Sequence, residues 1–331
     1  MTLYPWQQPQ WQQLAFSLSN RKFPHALLLT GPKAMGKLQF AQVLAKQLLC
    51  QTAQDQDAAM ACDLCRSCQW LEAGNHPDLF LVQPETEGGL IKIDQIRTLV
   101  EELSQTGQQG GYQLVIIEPA EAMNKAAANA LLKTLEEPSG QVVFLMVSNN
   151  LGLLPATIIS RCQRVHFPPP AAQLSLAWLE QQLPSKTQAE LSVGLSMNEY
   201  VPLRTLAFYQ ADQQIIYQKI AQGFLQLYLG SCSPGEMATL CMNYDFILVF
   251  NVLWLVIIDL LQLKLQAQQP QIMHGAQLDL LLEVNSRTTC FKLLQFIDQL
   301  LVAKQQVIAN KINLNAQLLF EDLFIYCVAR F

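Results

Sequence analysis

The sequence predicts an α/β domain, with a parallel sheet and a phosphate-binding loop, followed by two all-α domains. Three observations carry that prediction. Up to about residue 167, short apolar runs alternate with amphipathic helical segments. A G-x-x-x-x-G-K stretch joins the first run to the first helix. Beyond Pro168-Pro169-Pro170 only helical periodicity remains.

Strands are expected at Ala26–Leu29, Leu79–Val82, Leu114–Ile117, Val142–Val147 and Arg164–Phe167. Between them, Phe40, Leu44 and Leu48 recur at helical spacing and share one face, as do Ile93, Ile96, Val100 and Leu103. Asn124 can cap a helix that runs through Ala126 to Leu135, because its side-chain oxygen can accept an unsatisfied first-turn N–H. Glu137-Pro138 ends that helix, since the residue before a proline is pushed out of the helical region. Three consecutive prolines cannot continue a helix or join a central strand, so they mark a boundary. The expected domains are therefore 1–168 around the sheet, 169–208 as a small helical cluster, and 209–331 as a larger helical bundle. Gln266, Gln268, Gln269 and Gln271 form a glutamine-rich patch in the last of these, without an internal repeat.

Composition excludes several classes. Of 331 residues, 51% are apolar and 14% charged, which describes a folded chain with an ample core rather than a disordered one. A net charge of -5 argues against a protein that coats nucleic acid by itself, which needs a basic footprint. The N-terminal residues Met1 to Gln8 hold no basic segment and no apolar core, so no secretory signal is expected. Phe246 to Leu263 is almost wholly apolar and near bilayer-spanning length, but Asn251 and Asp259 interrupt it, and a buried helix is the expectation.

The phosphate loop reads Gly31-Pro32-Lys33-Ala34-Met35-Gly36-Lys37-Leu38. In such a loop the backbone N–H groups cradle phosphate oxygens at a helix N-terminus, and Lys37 would reach the β/γ-phosphates. Two departures damage it as a hydrolytic site. Leu38 stands where a Ser or Thr hydroxyl would ligate Mg²⁺. After the third strand, Glu118-Pro119-Ala120-Glu121 replaces the acidic pair expected there, and Pro119 takes the place of the water-activating carboxylate. Glu118 could stand in for the metal-binding Asp, whereas Glu121 has the wrong spacing. Gly31, Gly36 and Lys37 remain as a degenerate ATP-binding loop; ATP occupancy stays open and turnover is not expected.

Nine cysteines are present, and Cys50, Cys62, Cys65 and Cys68 follow the pattern C-x11-C-x2-C-x2-C. Two short steps supply three thiolates from a tight turn, and the fourth comes from the end of the preceding helix, a closed tetrahedral set suited to Zn²⁺. A redox C-x-x-C is the rival reading, and the extra two cysteines count against it. The cluster and the scattered remainder fit a reduced cytoplasm better than a disulfide framework.

The motifs together resemble the clamp-loader branch of the AAA+ proteins. The resemblance rests on the loop with its cysteine insertion behind it, then Ala128-Asn129-Ala130-Leu131-Leu132-Lys133-Thr134-Leu135-Glu136-Glu137-Pro138, then Ser160-Arg161-Cys162. Ile93-Asp94-Gln95-Ile96-Arg97 is similar too. These cover most of the first 170 residues. The resemblance implies an AAA+ domain, a helical lid and an all-α oligomerisation collar. It also implies membership of a pentameric ring in which gamma/tau motor subunits bind ATP and, with a delta subunit, place a sliding clamp on primed DNA for DNA polymerase III. The damaged loop implies a non-motor member, the alternative being an active gamma/tau-like ATPase. By matching position, Arg161 would point into a neighbouring motor's ATP site. Arg204 resembles a second sensor arginine, and Ser148 and Asn149 lie near the first sensor position.

Overall fold

The computed structural model of the chain describes residues 2–20, 22–56, 60–86, 88–104, 111–138, 140–265, 272–309 and 316–330. The glutamine-rich patch at Gln266, Gln268, Gln269 and Gln271 lies outside them. The chain divides into two compact units, Met1–Trp178 with Val201–Leu203, and Leu179–Tyr200 with Arg204–Phe331.

The first unit runs α1 (Gln8–Ser19), β1 (Ala26–Thr30), α2 (Lys37–Leu49), α3 (Gln51–Gln56), α4 (Arg66–Glu72), β2 (Leu79–Val82), α5 (Ile93–Leu103), β3 (Gln113–Ile117), α6 (Lys125–Glu136), β4 (Val142–Ser148), α7 (Ala156–Ile159), β5 (Gln163–His166) and into α8 (Ala172–Gln182). The five strands form one sheet in the order β2-β3-β4-β1-β5, every neighbouring pair parallel. All residues of β1, β3 and β4 are buried, as a parallel sheet covered on both faces requires. Their side chains alternate between two cores. Leu27, Leu29, Leu114, Ile116, Val143 and Leu145 pack with α1 and α2 residues such as Leu14 and Phe40. Ala26, Leu28, Val115, Ile117, Phe144 and Met146 pack with Ile96, Leu99 and Leu131 of α5 and α6.

The fold class expected from sequence is the one observed, with small shifts at the last strand. β5 starts at Gln163 and stops at His166, and only Val165 of its four residues is buried. Phe167 follows the strand; its N–H donates to Thr30 O at 2.7 Å, and its ring meets Phe40 edge-on at 4.9 Å. The predicted cap on α6 is present, with Asn124 Oδ1 accepting from the Ala127 N–H at 2.8 Å.

The second unit is all helix. It takes in α9 (Gln188–Met197), α10 (Pro202–Gln210) from Arg204 onward, α11 (Gln213–Tyr228), α12 (Pro234–Cys241), α13 (Phe246–Lys264), α14 (Leu278–Arg287), α15 (Cys290–Ala309) and α16 (Ala316–Arg330). The apolar stretch noted in the sequence is α13, which packs one face against α11, α14 and α15; 44% of its apolar window is buried, less than a fully buried helix would show, and Ile247 and Trp254 are exposed. Phe250, Leu253, Ile257 and Leu260 are fully enclosed. Aromatic rings close the bundle, Phe224 stacking on Phe296 at 5.4 Å and Phe246 on Phe320 at 5.0 Å. Asp259, also fully buried on α13, accepts from the N–H groups of Met273 and His274 at 3.0 and 2.9 Å.

Candidate functional site

The C-terminal ends of β1, β3 and β4 bring the phosphate loop, Glu118 and the Ser148-Asn149 pair to one edge of the sheet. Backbone geometry fixes the two loop glycines. Gly31 sits at φ +141°, where a Cβ would run into the Phe167 carbonyl oxygen. Gly36 sits at φ +75° as the residue before α2, and a Cβ there would come within 2.6 Å of the Tyr4 ring. The N-terminal segment also binds the loop directly. Trp6 Nε1 donates to Met35 O at 3.2 Å, and Gln7 Nε2 donates to Met35 O and Gly36 O at 3.1 and 2.9 Å.

Lys37 is turned into the protein. Its Nζ donates to Gly31 O at 2.7 Å, Pro32 O at 2.5 Å and Asn149 Oδ1 at 2.9 Å, so all three donors of the ammonium are engaged. The residue is only 3% exposed. Burial lowers its pKa to about 8, against the opposing pull of Glu121 and Glu118.

The positions read as defects have structural roles of their own. Leu38 packs on the core shared by α1 and α2. Pro119 opens a 3₁₀ turn at Ala120–Ala122, its carbonyl accepting the Ala122 N–H at 3.0 Å. Glu118 accepts from Gln83 Nε2 at 2.8 Å, and Glu121 Oε1 accepts from the Asn149 N–H at 2.9 Å. Ser148 Oγ and Glu121 Oε2 are buried without a partner among the described residues.

Arg161 follows the short helix α7, as read from sequence. Its Nε donates to Glu136 Oε1 at 2.7 Å, its Nη2 pairs with the same oxygen, and its Nη1 donates to Thr157 O at 3.0 Å. The side chain is 34% exposed, and Glu136 is the last residue of α6. Arg204 pairs with Glu199 at 2.8 Å in the second unit.

The four cysteines converge. All four Sγ atoms lie within 4.8 Å of one another, and Cys50 and Cys65 are 4.0 Å apart. A tetrahedral ion with metal–sulfur bonds of about 2.3 Å would set sulfurs about 3.8 Å apart, so this set could hold a metal ion after small adjustments. Hydrogen bonds from the Thr52 side chain and then from the Leu64 and Cys65 backbones bring the Cys62 thiol down to about 6. Burial raises that of Cys68, a cost that a bound cation would offset by taking the thiolate.

A buried relay that sequence reading missed ties this cluster to the sheet. The Asp78 N–H donates to His76 Nδ1 at 3.1 Å, which leaves the ring proton on Nε2. That nitrogen donates to Ser67 Oγ at 2.8 Å, and Ser67 Oγ donates to Leu49 O at 2.6 Å, beside Cys50. Asn75-His76-Pro77-Asp78 carries no spacing that announces this role. The histidine reaches Ser67 only because α4 folds back over the end of α2.

Comparison with known proteins places these features in a family. Residues 6–171 match the family model described as "DNA polymerase III, delta subunit", and residues 212–327 match "DNA polymerase III, delta subunit, C terminal". Over 323 residues the chain is 36% identical to the DNA polymerase III subunit delta' of Pseudomonas aeruginosa, covering 98% of this chain and 96% of that protein. The chain belongs to the delta-prime family of DNA polymerase III subunits. The delta' subunit of Escherichia coli is 34% identical over 64% of this chain and 62% of its own length. That of Bacillus subtilis is 42% identical over 49% of this chain and 48% of its own. Tau from Salmonella typhimurium also matches, at 33% over 46% of this chain and 23% of its own length. Among solved structures, a gamma subunit-related protein of Thermotoga maritima aligns over 97% of this chain and 99% of its own, with a TM-score of 0.47 and 16% identity. Within the delta-prime family, Lys37 bound to its own loop and Arg161 at the end of α7 are the residues whose chemistry calls for a functional account.

Proposed function

We propose that this delta-prime chain is the non-motor member of a clamp-loader ring, and that Arg161 acts on ATP bound by a neighbouring motor subunit. The observation that carries this reading is the contrast between the two cations. Lys37 is buried with its three donors on Gly31, Pro32 and Asn149, whereas Arg161, held by Glu136 and Thr157 O, keeps a third of its side chain exposed to solvent. Phosphoryl transfer builds negative charge on the γ-phosphate and leaving oxygens, and a guanidinium supplied across an interface stabilises that charge without a proton to lose. The chain itself turns over no ATP, since Leu38 brings no metal-binding oxygen and Pro119 no base. Its partners are the gamma/tau motors and the delta subunit. Through the ring it acts on the sliding clamp and on primer-template DNA in the cytoplasm. Residues 1–168 are read as the AAA+ domain, 169–208 as its lid and 209–331 as the collar.

The cysteine cluster is read as a structural Zn²⁺ site. Cys50, Cys62, Cys65 and Cys68 would hold the ion with no position left open for substrate, so its contribution is to fold the insertion.

The deciding experiment is Arg161→Ala in a ring reconstituted from gamma/tau, delta and this chain. Assembly should persist while DNA- and clamp-stimulated ATP hydrolysis and clamp loading fall, and Arg161→Lys should restore neither fully. Normal hydrolysis and loading by the variant ring would overturn the trans-acting role. Phosphate release by this chain alone, abolished by Lys37→Ala, would instead favour the motor reading.

A further inference from the structure

We propose that the helical unit contains a small-molecule site at His274, suited to an aromatic ligand that carries an N–H or O–H donor and no negative charge. The site is a cavity of about 300 Å³ within the second unit, walled by α9, α10, α11 and the segment that leads into α14. Val193 and Met197 of α9 supply aliphatic surface. Phe208 and Tyr217 supply aromatic surface, their rings meeting edge-on at 5.0 Å. Such walls accept a flat ring readily.

His274 supplies the polar anchor. Its side chain is 1% exposed, and Nδ1 lies 2.8 Å from Asp259 Oδ2. Asp259 already accepts the backbone N–H groups of Met273 and His274, so it acts here as an acceptor and Nδ1 must be the donor. In the neutral ring, that tautomer places the lone pair on Nε2. Nε2 is buried, belongs to a residue lining the cavity, and has no partner among the described residues.

Gln214 points to the same ligand chemistry. Its Nε2 donates to Asp212 Oδ1 at 3.1 Å, which settles the amide orientation, and its buried Oε1 is likewise without a partner among the described residues. Two acceptors on one cavity call for a donor. Charge narrows the class further. Asp259 stands directly behind the imidazole, so an anion would meet a buried carboxylate. A purely apolar ring would fill the walls and leave Nε2 desolvated and unpaired, which costs affinity.

The test uses the full chain, with phenol as the probe and toluene as its donor-free isostere. NMR titration should show phenol binding roughly tenfold more tightly than toluene, the step that one hydrogen bond to a buried acceptor supplies. Phenol should move the ¹⁵N resonance of His274 Nε2, whereas toluene should leave it in place. Val193→Trp fills the cavity from α9 and leaves the Asp259–His274 pair unaltered in sequence, and should abolish phenol binding while the protein stays folded. Equal affinity for the two probes, an Nε2 resonance unmoved by saturating phenol, or full binding by Val193→Trp would each overturn the proposal.

Discussion

Glu136 holds Arg161 from the end of α6, its Oε1 accepting Nε at 2.7 Å. The acidic residue comes from the Leu132-Lys133-Thr134-Leu135-Glu136 run and the arginine from Ser160-Arg161-Cys162, so the pair joins two of the segments on which the sequence resemblance rests. An exposed ion pair of this kind contributes only about 0–1 kcal/mol to folding. On the proposed function, its value would be in aiming the guanidinium.

Glu136→Gln should therefore leave the melting temperature of the chain within a degree or two. In the reconstituted ring it should lower stimulated ATP hydrolysis, by less than Arg161→Ala does. Thermal denaturation and steady-state phosphate release read the two effects separately. A large loss of stability would assign the pair a folding role instead.

Lys37 predicts a stability profile at alkaline pH. Its folded pKa is lowered to about 8 from the ordinary 10.5. Below about 8 both states carry the proton and the cost of burying the charge is fully present. Between the two values the unfolded chain binds more protons, so stability rises with pH, by roughly 3 kcal/mol over the whole window. Above 10.5 the gain is complete. Urea denaturation of wild type and Lys37→Met across this range should give a difference curve with that positive slope, and a flat difference would refute it.

The cysteine cluster predicts about one zinc ion per chain in protein purified under reducing conditions. Cys65→Ser should release the metal and raise hydrogen exchange in α4, while β1, β3 and β4 keep their protection. Elemental analysis and exchange mass spectrometry check the two halves. Metal-free wild-type protein would remove the assignment.

Asp259→Leu should destabilise the helical unit by about 3 kcal/mol or more, because it strips the buried N–H groups of Met273 and His274 and the His274 ring Nδ1–H of their acceptor. Urea unfolding of the variant, followed by circular dichroism, measures it.

Much of the fold could be read from local pattern. The central strands are apolar runs because both faces of the sheet are covered, and Asn124 advertises the start of α6 by its side chain alone. The cysteine spacing likewise specifies a cluster, since its four members lie close in sequence. What stayed hidden joins distant residues. Asn149 reaches Lys37 from 112 positions away, and Tyr4 and Gln7 lie against Gly36 from another element. No periodicity carries such contacts. Asp259 is the instructive case: in sequence it interrupts an apolar helix, and in the fold it is the acceptor that secures a distant segment.

That arrangement has a consequence for how the chain is made. During synthesis α13 leaves the ribosome before residues 273 and 274, the groups that will satisfy Asp259. For that interval the nascent chain presents an apolar segment of bilayer-spanning length, of the kind that the insertion machinery recognises. The same carboxylate, still without its partners and four residues from the middle of the helix, raises the cost of entering a membrane, by less than the roughly 2.5–3.5 kcal/mol of a central acidic residue. One side chain thus guards the helix against the wrong solvent first and pins the finished bundle afterwards.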